Sequence, residues 1–202
     1  MDNYQDEPEL VARSQRGDLT AFNRLVERYQ TSLYNFSLRM LGSPQAAEDA
    51  TQEAFISAFR AVRSFKGEAF KAWLFRIASN ACYDELRRRK SRAAQSLDEP
   101  QGSDERGLDL PGRGLSPEER AEQDALGRLI QAALLQIPAD QRAAVVLCDV
   151  QGLDYAEVAA AMNVSLGTVK SRIFRGRTQL RRLLIQSGGE LLPERLRQVS
   201  EG

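Results

Sequence analysis

Histidine is absent from this 202-residue chain, and cysteine occurs only twice, at Cys82 and Cys148. Without histidine the chain lacks the commonest general base and transition-metal ligand, which removes most routes to hydrolytic or zinc chemistry. The two cysteines lie far apart and form no CxxC or metal-ligand spacing, so they read as buried thiols. No run approaches the roughly 18 consecutive apolar residues of a membrane span. The start, MDNYQDEPEL, is acidic and lacks the basic and apolar regions of a signal peptide, so the expected location is the cytoplasm. Net charge is absent too, with 28 basic against 28 acidic residues. The charges are nevertheless separated by sign. RRRKSR at 87–92 and KSRIFRGRTQLRR at 170–182 are basic, whereas 98–109 is mostly acidic, which implies local electrostatic surfaces.

What is present is helical periodicity. Phe22, Leu25, Val26, Tyr29, Leu33, Phe36 and Met40 recur at steps of three and four. Gly42, Ser43 and Pro44 then supply a stop, a cap and a first-turn residue. A helix over roughly 44–64 follows, with Ala47, Ala50, Ala54, Ala58 and Val62 on one side. After a break at Lys66-Gly67, a helix over roughly 69–90 carries Phe70, Trp73, Leu74, Ile77 and Ala81. No run alternates as a strand does. The expected fold class is all-α, with two small helical domains joined by a flexible linker. Residues 1–90 form an N-terminal bundle and 91–116 a Gly/Pro/Ser-rich acidic linker. Residues 117–187 form the second domain, and 188–202 are a tail.

Within the second domain, Asp154 and Glu157 have capping-box spacing and open a short helix at 155–162 with Tyr155, Val158, Ala159 and Met162 inward. A turn at Asn163-Val164-Ser165 leads to a helix with Val169, Ile173, Gly176, Leu180 and Leu184 on its core side. Its other faces carry Thr168, Lys170, Ser171, Arg172, Arg175 and Arg177. A short helix, a tight turn and a second helix with a basic, hydroxyl-bearing start suit the DNA major groove. A solvated amphipathic helix explains the arginines equally well in isolation. Six basic residues without an acidic one between Lys170 and Arg182, behind a capped helix and a three-residue turn, favour DNA.

The first domain holds two further clusters. Glu48, Asp49, Gln52 and Glu53 share a helix face, which alone suggests only a solvated acidic surface. Residues 65–90 interleave Phe65, Phe70, Trp73 and Phe75 with Lys66, Lys71 and Arg76, a mixture that suits unpaired bases and a phosphate backbone. Trp73, on the apolar stripe, is expected in the core.

Taken together, DATQEAF at 49–55, WLFRIASNACYDELRRRK at 73–90 and GLDYAEVAAAMNVSLGTVKSRIFRGRTQLRRLL at 152–184 resemble a sigma-70-type factor. The short two-domain form is similar to the extracytoplasmic-function group, and the resemblance covers most of residues 9–185. It implies a non-enzymatic subunit that binds core RNA polymerase, recognises −10 and −35 promoter elements and promotes melting, for a stress or envelope-response regulon. It implies that Asp49, Gln52, Glu53 and Phe55 dock on the polymerase. Phe65, Lys66, Arg76, Asn80, Asp84, Arg87 and Arg88 would meet the −10 DNA, with the loop at 65–69 capturing a flipped base. That loop, FKGEAF, is one residue shorter than the commonest family pattern. Thr168, Lys170, Ser171, Arg172, Arg175 and Arg177 would read the −35 duplex. The implied partners are core polymerase, double-stranded and melted promoter DNA, and an anti-sigma factor; no cofactor, metal or membrane insertion is expected. Two rival readings predict different behaviour. A free-standing regulator would bind its operator without polymerase, and a nucleic-acid enzyme would cleave DNA with metal at Glu48, Asp49 and Glu53.

Overall fold

The computed structural model describes residues 6–67, 69–95 and 116–188. Most of the expected linker and all but the first residue of the tail lie outside the described residues. Every regular element described is helical: α1 Glu7–Gln15, α2 Leu19–Leu41, α3 Pro44–Ala61, α4 Phe70–Gln95, α5 Pro117–Gln136, α6 Ala139–Val145, α7 Tyr155–Met162 and α8 Leu166–Gly188. A 3₁₀ turn, Val62–Ser64, follows α3, and a π turn, Val146–Val150, follows α6.

Local chemistry sets the boundaries. Periodicity alone runs α1 into α2, but Gly17 turns the chain at φ +93°. Asp18 then caps α2, accepting from the Ala21 N–H at 3.1 Å and from Arg13 Nη2 at 2.7 Å. Gly42 ends α2 in the left-handed region at φ +70°, and Ser43 with Pro44 starts α3 as expected. Ala46, Ala47, Ala50, Ala54 and Ala58 face inward and let α3 lie close to its neighbours. Helix α4 continues five residues past the expected end. Glu85 gathers Arg88, Arg89 and Arg92 at 3.6, 2.9 and 3.2 Å, neutralising part of a run that would otherwise repel itself.

Aromatic rings fill the first domain: Phe36 and Phe75 meet edge to face at 5.5 Å, both fully buried. In the second domain Val158, Ala161, Val169 and Ile173 form the buried seam of α7 and α8. Gly176 is needed where α8 crosses α6, because a Cβ would stand 2.7 Å from Val145 Cγ2.

The two domains pack against one another, and one apolar core runs through both. The C-terminal end of α2 is the joint. Its last carbonyls are the negative pole of the helix. Gln131 Nε2 donates to Leu38 O at 3.2 Å, Arg142 Nη1 to Met40 O at 2.5 Å and Arg89 Nη1 to Leu41 O at 3.0 Å. Burial lowers the Arg142 pKa from its usual value. Leu135 closes over Gly42, where a Cβ would lie 2.5 Å from its Cδ1. On the other side α7 lies along α4, and Lys71 Nζ donates to Gln151 O at 2.7 Å.

Candidate nucleic-acid and polymerase interfaces

Helix α3 presents Glu48, Asp49, Gln52 and Glu53 to solvent because its alanines occupy the inner face. Gln45 Nε2 approaches Asp49 Oδ1 at 3.3 Å, and Ser57 Oγ donates to Glu53 Oε1 at 3.1 Å. Phe55 is half-buried against the core. The same helix leaves Ile56 and Phe59 exposed at 46% and 42%, and Phe59 meets Phe22 edge-on at 5.1 Å. The sequence reading missed both. Their signal was an apolar residue one turn beyond the acidic face, outside the alanine stripe.

A cleft of about 670 Å³ opens between residues 64–67 and α4. Phe65, Lys66, Gly67, Trp73, Arg76 and Asn80 line it, and Ala160 of α7 borders its far side. Phe65, Phe70 and Trp73 form one aromatic cluster with centroid separations of 5.0 to 5.8 Å. Phe70 is core, whereas Trp73 is half-buried and shows an edge to the cleft. Trp73 is therefore both core and wall. Asn80, Asp84, Arg87 and Arg88 continue along the exposed face of α4, with Arg87 paired to Asp84.

The helix-turn-helix forms as the caps require. Asp154 accepts from the Ala156 and Glu157 N–H groups, and Glu157 returns a bond to the Asp154 N–H at 2.8 Å. Asn163 adopts φ 52°, a left-handed conformation that asparagine tolerates. Ser165 Oγ accepts from the Thr168 N–H at 3.2 Å. Tyr155 differs from expectation. It lies at the surface beside Arg177, while Val158 and Ala161 make the seam. Lys170 and Arg175 point outward, whereas Thr168 and Ser171 are half-buried, the Ser171 hydroxyl returning to Thr168 O at 2.9 Å.

Arg172 and Arg177 of this helix are engaged with acidic side chains. Arg172, 25% exposed at its side chain, meets Asp140 at 3.0 Å. Arg177 grips Asp149 at 2.5 and 3.0 Å, which raises the Arg177 pKa, the hydrogen bond being the largest cause. The π turn carries Asp149, so this irregularity of α6 sets where that grip lies. Phe174 stands out of the basic face at 72% exposure, another residue the periodicity reading passed over.

An acidic helix face, an aromatic-basic cleft and a helix-turn-helix on one chain fit a transcription-initiation subunit rather than a lone DNA reader. Family comparisons agree: residues 25–92 match Sigma-70 region 2 and residues 127–180 match Sigma-70, region 4. The chain is 38% identical over 179 residues to the ECF RNA polymerase sigma factor SigE of Mycolicibacterium smegmatis, covering 89% of this chain and 67% of that one. It is also 38% identical to the ECF RNA polymerase sigma-E factor of Escherichia coli K12, covering 83% and 88%. Among solved structures it resembles the sigma factor RpoE of Bartonella quintana in complex with the anti-sigma factor NepR. The TM-score is 0.67 at 28% identity, over 84% of this chain and 99% of that one. CnrH in complex with the cytosolic domain of CnrY gives a TM-score of 0.66 at 25% identity, over 91% and 99%. The chain belongs to the extracytoplasmic-function group of sigma-70 family RNA polymerase sigma factors. It directs core polymerase to promoters and has no catalytic activity of its own. Among the described residues no helix is long and apolar enough to cross a membrane.

Proposed function

We propose that the three surfaces divide the work of initiation. Asp49, Gln52, Glu53 and Phe55, with Ile56 and Phe59, dock on core polymerase. An apolar strip beside an acidic face is suited to a partner helix pair with basic flanks. The cleft, with Phe65, Lys66 and Arg76 at its mouth and Asn80, Asp84, Arg87 and Arg88 beyond, takes melted −10 DNA. Extruding a base costs a few kcal/mol, and an aromatic pocket that holds it shifts the duplex toward opening. Thr168, Lys170, Ser171, Arg172, Arg175 and Arg177, with Phe174, meet the −35 duplex.

The observation that carries this reading is the cleft, open at the exposed face of α4 and walled by aromatic and cationic side chains. Elements about 25 base pairs apart are separated by roughly 85 Å of duplex. Reading both requires the packed domains to part, with Gln131 and Arg142 leaving the carbonyls of α2 and α7 leaving α4. Core polymerase supplies the frame that holds them at that spacing, and an anti-sigma factor would favour the packed form. The expected setting is cytoplasmic, and the regulon is a stress or envelope response, as the SigE and sigma-E relatives suggest. Asp49→Arg tests the docking surface: binding to core polymerase is lost while the variant keeps the wild-type melting temperature. Unchanged polymerase affinity would reject that assignment.

A further inference from the structure

Helix α1 precedes the segment that matches region 2, yet its last residue reaches Phe65, which lines the cleft. We infer that Gln15 is a positioning residue for Phe65 and the segment 65–67, holding the cleft wall in the shape that receives an unpaired base. The inference rests on the reading of the cleft as the −10 single-strand site.

Gln15 is the last residue of α1, and its Nε2 donates to Phe65 O at 2.8 Å, across fifty positions of sequence. The Phe65 N–H bonds back to Val62 O at 3.1 Å, so both polar groups of the loop's first residue are tied down. With its backbone held, the Phe65 ring is aimed at Trp73, 5.0 Å away, and forms part of the cleft wall. Gly67, two residues on, leaves only 3.2 Å between an added Cβ and that ring, so a shift of Phe65 alters the space next to it.

Gln15 can act as a strut because α1 is itself anchored at both ends. At its C-terminal end, Arg13 bridges to the α2 cap Asp18, and the Ser14 hydroxyl bonds Leu10 O at 2.7 Å. Leu10, Val11 and Ser14 are buried. At its N-terminal end Arg28 pairs with Asp6 at 2.5 Å and the Tyr29 hydroxyl meets Glu7. The Tyr29 ring in turn lies 6.0 Å from Phe70. Gly17 brings the turn against Arg63, whose Nη2 would lie 3.3 Å from an added Cβ.

The test uses full-length chain assembled with core polymerase, a single-stranded −10 oligonucleotide carrying 2-aminopurine, and a −35 duplex. Gln15→Leu keeps the bulk and loses the donor, leaving Phe65 O without its partner. It should bind the oligonucleotide about 5–10-fold more weakly, the scale of one neutral hydrogen bond, and give a smaller 2-aminopurine signal. Affinity for core polymerase and for the −35 duplex should not change. Gln15→Lys retains an N–H donor at similar reach and should restore binding. Phe65→Ala serves as the control for the cleft itself. If Phe65→Ala weakens oligonucleotide binding and Gln15→Leu does not, the strut is refuted and the cleft stands. If neither matters, the cleft reading fails and the strut falls with it. A Gln15→Leu variant that loses thermal stability and all three affinities together would make Gln15 a general fold contact, which also overturns the proposal.

Discussion

Replacing Gly42 by alanine tests whether the two domains pack in solution as they do here. Two penalties are expected. A left-handed conformation costs a non-glycine residue about 1–2 kcal/mol, and Gly42 sits at φ +70°. The new Cβ also falls 2.5 Å from Leu135 Cδ1, on the other domain. Relief needs Leu135 to move, at a further cost of about 1 kcal/mol. Leu135→Ala alone removes a side chain that is 40% exposed, so it should cost only about 1 kcal/mol. In the double variant the overlap is gone, and the backbone strain and the lost Leu135 packing remain. The pair should therefore be about 1 kcal/mol less destabilised than the sum of the single variants. Urea unfolding followed through Trp73, the chain's one tryptophan, measures all four proteins. Additivity within about 0.3 kcal/mol would mean that Leu135 does not cover Gly42 and that the joint is not formed.

Three other outcomes are expected. Arg175→Ala should weaken −35 duplex binding by about 1–3 kcal/mol if the guanidinium reaches a base edge, and relax preference at that position; a uniform small loss would assign it to phosphate. Cys82, whose thiol burial pushes up to about 12, should resist a disulfide reagent at pH 8 until the chain unfolds. Fast labelling of the native protein at Cys82 would contradict its burial on α4 against Ser37 of α2. The Asp18 carboxyl is held below its usual range by the hydrogen bond from Arg13, so its stabilising contribution is present above about pH 4 and lost as pH falls through the lowered value. Asp18→Asn should flatten the acid side of the stability profile, and an unchanged acid limb would argue against the Arg13 pair.

The helices were legible in the sequence because their apolar stripes and caps agree: Gly42-Ser43-Pro44, the Asp154–Glu157 box and the Asn163 turn all form as read. The α1–α2 break was missed because apolar periodicity continues across Gly17 and Asp18, and only the cap shows the boundary. Tyr155 was placed inward by spacing, yet its ring stays at the surface because the smaller Val158 and Ala161 fill the seam. The joint between the domains was not legible at all. Gln131, Leu135 and Arg142 carry no periodic signal that distinguishes a domain interface from a solvated helix. Gln131 and Arg142 meet main-chain carbonyls at the end of α2 and Leu135 covers Gly42, partners that no side chain announces. For the same reason Gln15 looked like any polar residue at a helix end.

Promoter-directed initiation is the central claim, and run-off transcription tests it most directly. Core polymerase, this chain and the DNA upstream of its own coding sequence should together yield a discrete transcript that neither protein gives alone. Asp49→Arg and Asn80→Ala should each abolish or sharply reduce it. A chain that binds the same DNA tightly without polymerase, and yields no transcript with it, would contradict the account.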